Sequence, residues 1–139
     1  MPTEIETLCD TIEDCYEFTL SYAARGMTTD EGSDAGRQLR EKLTNALAAI
    51  RGLEAASRAA AARMETGQAE KFAAFVDVLG HDAQSSSAAV DLVLAQAAIS
   101  SQLIDNLNAS IHLRALLTDL FLITEIVAAQ QVRAAGAAD

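Results

Sequence analysis

This chain predicts an all-α fold, a four-helix up-down-up-down bundle, and three observations carry the expectation. Proline occurs once in 139 residues, at Pro2, so nothing later removes a backbone donor or clashes with a preceding turn. Good helix formers, Ala above all with Leu, Glu, Gln and Arg, fill the remainder. Apolar residues recur at spacings of three and four through long stretches, with no strand-like alternation of note.

The elements follow in order. Thr3-Glu4-Ile5-Glu6 has the form of a capping box opening helix one. Ile5, Leu8, Ile12, Cys15, Thr19 and Tyr22 continue the helical spacing, and Gly26 suits a C-terminal cap. A polar loop from Met27 to Gly32 precedes Ser33 or Asp34 as the next N-cap. Helix two carries Leu39, Leu43, Ala46, Leu47, Ile50, Leu53 and Ser57, then alanines to Met64, with the reversal placed at Gly67. Helix three repeats Phe72, Val76, Leu79, Ala83, Ser86, Val90, Val93 and Ala97. Its register passes through Gly80, read as a point where this long helix can kink.

The third reversal is placed within residues 105–109 rather than at Ser100-Ser101, because Asn106 and Asn108 tolerate turn conformations. Helix four then runs from Ile111 to Arg133 and is apolar around most of its girth. A helix wetted on one narrow side is central or covered by a partner. Leu113, Leu117, Leu120, Phe121 and Ile123 are therefore the expected interface of a homodimer formed through helix four. Residues 1–139 read as one domain, with residues 1–2 and 134–139 expected to fray.

Half the residues are apolar but only 4% are aromatic and Trp is absent, so the core is Leu, Ile, Val and Ala. The net charge of −10 disfavours nucleic acid and anionic membranes as partners. Acids crowd residues 1–34 and 72–139, whereas bases concentrate in 35–71. A basic second helix between acidic neighbours suggests complementary pairing that sets register. The start Met-Pro-Thr-Glu-Ile-Glu has neither the basic nor the apolar part of a signal peptide. The stretch from Ile111 to Ala129 is interrupted by His112, Arg114, Asp119 and Glu125, against a membrane span. Cys9 and Cys15 lie about 240° apart around a helix and read as buried thiols, so a cytoplasmic location is expected.

Catalytic patterns are missing: there is no phosphate-cradling glycine loop, CxxC, HExxH or nucleophile elbow. With His81 and His112 alone, the multi-histidine and Glu-x-x-His iron sites of helical bundles cannot be assembled, so neither metal nor cofactor is expected. Glu6, Asp10, Glu13 and Glu17 form an acidic stripe read as a solvated face. Asp105, Asn108, His112 and Asp119 read as the strip of helix four that meets water. Arg133 or a base of helix two is the expected partner of Glu125.

His81 falls opposite core Leu79 on helix three and is followed by Asp82. The run Phe75-Val76-Asp77-Val78-Leu79-Gly80-His81-Asp82 resembles the phosphoacceptor box of histidine kinase dimerisation domains, over about ten residues. That resemblance implies His81 as phosphoacceptor, Asp82 assisting proton transfer from the imidazole and Ser85 assisting dephosphorylation. The chain departs from the pattern at Ser86, where the family has proline, and no ATP-binding domain follows.

The leading expectation is therefore a non-enzymatic helical bundle that acts by binding protein, as an adaptor, chaperone or regulatory subunit. A histidine phosphotransfer protein is the alternative, and a binder of an apolar small ligand within the bundle core is the third.

Overall fold

Thr3 opens the first helix as its sequence requires. In the computed structural model, which describes residues 3–138, Glu6 N donates to Thr3 Oγ1 at 3.3 Å and Thr3 N donates to Glu6 Oε2 at 3.2 Å. The described chain is all-helical: α1 (Glu4–Ala23), α2 (Asp34–Ala61), α3 (Thr66–Leu94), α4 (Ser101–Ala109) and α5 (Ile111–Ala138). There are five helices, not the four expected.

The first three helices bury the residues their spacing selects. Ile5, Cys9, Ile12, Cys15, Thr19 and Tyr22 of α1 face inward, and Leu39, Leu43, Leu47, Ile50 and Leu53 of α2 meet them. From α3 come Phe72, Val76, Leu79, Ala83, Ser86, Val90 and Val93. Ser33, not Asp34, caps α2 by accepting from Gly36 N at 3.0 Å. Gly36 has no room for a side chain, because a Cβ there would overlap the Asp30 carbonyl. Gly26 and Gly32 hold φ of 67° and 78°, the left-handed region where glycine costs least.

Three boundaries differ from the sequence reading. The α2–α3 reversal is at 62–65, where Arg63 N and Met64 N bond back to Ala60 O and Ala61 O; Gly67 lies in the first turn of α3. The second difference is the end of α3 at Leu94, so Ala97 is exposed in a loop rather than core. The cause is remote in sequence. Arg40 on α2 donates to the carbonyls of Leu94, Gln96 and Ala97, and to buried Asp30. Asp30 Oδ1 in turn accepts from Ile99 N at 2.7 Å. A guanidinium at a helix C-terminus satisfies carbonyls that have no intrahelical partner and complements the dipole there. Tyr22 and Ser101 complete the tie: Tyr22 Oη donates to Ile99 O at 2.7 Å, and Ser101 Oγ donates to Tyr22 O at 2.6 Å.

Third, residues 105–109 are helical and the break falls at Ser110, which ends α4 with φ −62° and ψ 140°. Its hydroxyl then caps α5, accepting from Leu113 N at 3.3 Å. Asn108 makes no turn; it is buried and accepts from Thr19 Oγ1 at 3.0 Å. α3 itself runs unbroken through Gly80, where the missing Cβ leaves space for the Glu54 carboxylate of α2.

α2 packs along both α1 and α3, α4 lies against the C-terminal part of α1, and α5 lies mainly on α3. The basic second helix is stitched to its acidic neighbours as its charge pattern suggests. Lys42 pairs with Asp14 of α1 at 2.6 Å, and Arg58 and Arg51 pair with Asp77 and Asp91 of α3 at 2.8 and 3.7 Å. α5 stays helical to Ala138, past the expected onset of fraying at residue 134, while residues 1–2 and 139 lie outside the described residues.

Candidate functional site

α5 presents two unlike faces. Its inner face, Leu113, Leu116, Leu117, Leu120, Ile123 and Val127, is buried by the chain's own α3, α4 and α1. Four of the five residues expected at an intermolecular interface, Leu113, Leu117, Leu120 and Ile123, are therefore core residues of one copy. Only Phe121 of that set remains at the surface, 61% exposed. The physical reason is that the inward stripe already satisfies α3 with residues at three- and four-residue steps. The outer face keeps Leu122 (50%), Ile126 (40%) and Val132 (73%) in water beside Phe121. The interface expected from sequence left out Leu122, Ile126 and Val132. Assigning each α5 residue a helical angle relative to the Leu116–Leu120–Ile123 stripe would have separated them.

Past Val127 no described side chain of α5 is buried. Beneath this stretch a half-open cleft of about 380 Å³ separates α5 from the start of α1 and the end of α2. Ile5, Ala56 and Met64 contribute its apolar wall, and Arg63, Gln130 and Arg133 its polar rim. Within the core, a cavity beside Cys15, Asn108 and Leu113 measures only about 20 Å³, room for a water. Glu125 is exposed, and neither it nor Arg133 has an ion-pair partner among the described residues, so the pairing expected within the chain is not formed.

On α3 the imidazole of His81 stands in water, its side chain 82% exposed, with Nδ1 4.0 Å from Asp82 Oδ1. Asp82 is turned inward, only 22% of its side chain exposed, and its carboxyl meets that of Asp119 on α5. Asp119 was expected on the wetted strip with His112; it is instead 6% exposed, while His112 and Asp105 stay in solvent. Burial, and then the hydrogen bond and charge of Asp82, push the Asp119 carboxyl up to about 7. Asp119 Oδ2 has no hydrogen-bond partner among the described residues, and a buried carboxyl so placed is held more readily in its protonated form. Ser85 is half-buried one turn beyond His81. Ser86, where the resembled box has proline, is buried and donates to the His112 carbonyl at 2.9 Å, joining α3 to α5.

The other candidates are inert by their surroundings. Burial, reinforced by nearby acids, pushes the Cys9 and Cys15 thiols up to about 12, which keeps them protonated and unreactive. In the acidic stripe, Glu13 is half-buried and its carboxyl is raised by that burial and by Asp10 and Glu17. No group of three His, Cys, Asp or Glu side chains among the described residues is arranged to hold a metal ion. No helix among them is long and apolar enough to cross a membrane.

Compared with known proteins, the chain matches no family model, no curated protein and no solved structure.

Proposed function

We propose that this chain is a non-enzymatic, protein-binding helical bundle whose working element is α5. One observation supports the reading above others: Phe121, Leu122, Ile126 and Val132 lie in water along one helix, although the same helix fully satisfies the core on its other side. Several large apolar side chains exposed along one helix of a small protein point to association more than a singly exposed residue such as Leu92 does. The acidic body around this face favours a protein over nucleic acid or an anionic membrane as its partner.

Photo-crosslinking in cells tests the reading. A photoreactive residue at Ile126 or Val132 is expected to give discrete adducts that vanish when Leu122→Lys is added. The same probe at exposed Leu92 is expected to give none. Equal labelling at all three positions, or none at α5, overturns the proposal.

A second reading keeps His81 as a phosphoacceptor, favoured by the exposure of its ring and the carboxylate on its Nδ1 side. Incubation with a phosphorylated receiver domain should then leave an acid-labile phosphate that His81→Gln abolishes. Unlabelled wild-type protein removes this reading.

A further inference from the structure

The outer face of α5 is self-complementary, and the complementarity has a centre. At about 100° per residue, Ala129 lies at the middle of a sector running roughly 60° to either side. On one side of Ala129 in sequence come Ile126, Glu125 and Leu122, at steps of three, four and seven. On the other side come Val132, Arg133 and Gly136, at the same steps. All of these residues are exposed, and the two charged ones have no ion-pair partner among the described residues. Read outward from Ala129 in the two directions, Ile126 answers Val132 in kind, Glu125 answers Arg133 with the opposite charge, and Leu122 answers Gly136 in size.

We infer that the partner of this face is a second copy of the chain, with the two α5 helices packed antiparallel across a two-fold axis at Ala129. The inference rests on the reading of α5 as an association surface and names the occupant. In that register Ile126 of one copy and Val132 of the other stand at the same height on opposite edges of the seam, and this arrangement occurs twice. Glu125 meets Arg133, also twice, bracketing the apolar pairs. Ala129 meets its own symmetry mate at the crossing, where a methyl side chain lets two helices approach to about 8 Å. Leu122 covers Gly136, large against small.

The same pattern selects against the alternatives. A parallel pair would set Glu125 against Glu125 and Arg133 against Arg133, which like charges oppose. A one-residue slip would break the charge match and move Ile126 off Val132. An isologous contact of this kind closes at two copies and leaves no surface to propagate. The seam extends over about four turns of one helix in each copy.

Charge exchange tests the inference, read by sedimentation equilibrium at low salt up to about 1 mM chain, well above a micromolar Kd. Wild-type protein is expected to reach a dimer. Glu125→Arg alone and Arg133→Glu alone should each weaken it at least about tenfold, because each places like charges together twice. Mixing the two variants should restore dimer as a heterodimer, since one copy then carries two bases and the other two acids. Both substituted positions are exposed, and circular dichroism checks that both variants stay folded. If wild-type protein dimerises but the mixture behaves as the separate variants do, the register is wrong. If wild-type protein stays monomeric, a second copy is not the occupant. In that case α5 crosslinks to a protein of another mass keep the broader reading, and absence of all crosslinks removes both.

Discussion

The two ends of the bundle are built on opposite principles. At one end Asp30, Arg40, Tyr22 and Ser101 bind the loop at 95–100 through side chain–backbone hydrogen bonds, and most of these atoms are buried. At the other end α5 continues past Val127 to Ala138 above an open cleft, with no described side chain buried and no polar tie among the described residues. Polar bonds inside a protein fix one geometry because each unmet partner is costly. An end left without them is free to take its final contacts from elsewhere. The difference separates a part of the molecule that sets the fold from a part available for association.

The largest expected effect comes from breaking the tied end. Arg40 holds the Asp30 carboxyl below the ordinary carboxylate range, aided by the Ile99 amide. Asp30→Ala removes the charge that Arg40 faces and orphans Ile99 N. A loss of about 3 kcal/mol in unfolding free energy is expected from breaking such a buried pair. Urea denaturation measures it, and a change below about 1 kcal/mol would show that the tie is not what anchors the loop. The depressed carboxyl also contributes stability above its unfolded pKa that is lost as pH falls through the folded value.

The middle of the bundle gives the next effect, with the opposite pH sign. Asp119 is raised to about 7 when folded, against an unfolded value near ~4. The folded chain therefore holds an extra proton between those values. The stability this contributes is complete below the unfolded pKa and is lost as pH rises through about 7. Wild-type protein should be less stable at about pH 8 than at about pH 5, and Asp119→Asn, neutral throughout, should flatten the slope and exceed wild type at the higher pH. A wild type with equal melting temperatures at both pH values would mean that burial does not hold the Asp119 carboxyl protonated toward neutral pH.

The same contrast between ends explains what the sequence allowed to be read. Core positions of α1, α2 and α3 follow from local periodicity, and the Thr3–Glu6 cap from adjacent residue types. The end of α3 does not, because Arg40, which terminates it, lies 54 residues before Leu94. Local preference favours continuing the helix through Ala95–Ala98, and tertiary bonding overrides it. Ser110 carries only the weak signal of a single serine, and the sequence reading placed the turn at the asparagines just before it. The candidate surface was half legible. An over-apolar helix announced that something must be covered, but deciding which side its own chain covers required the position of α3. Asp82 and Asp119, 37 residues apart, gave no local sign of meeting.

The smallest effect on folding is expected at the open end, and there concentration becomes the informative variable. A chain ending at Gln131 loses exposed Val132 and nearly two helical turns with no described buried side chain. In dilute solution its unfolding free energy should lie within about 1 kcal/mol of the full chain, the range for changes that remove no core contact. A larger loss would mean that the overhang is integral to the fold. If α5 pairs with a second copy, the full chain gains stability by mass action as concentration rises through its Kd. The shortened chain, lacking Val132 and Arg133, should not gain. Melting temperatures of the two chains that converge on dilution and separate on concentration therefore place the function of this end in association. Curves that stay parallel at every concentration remove it.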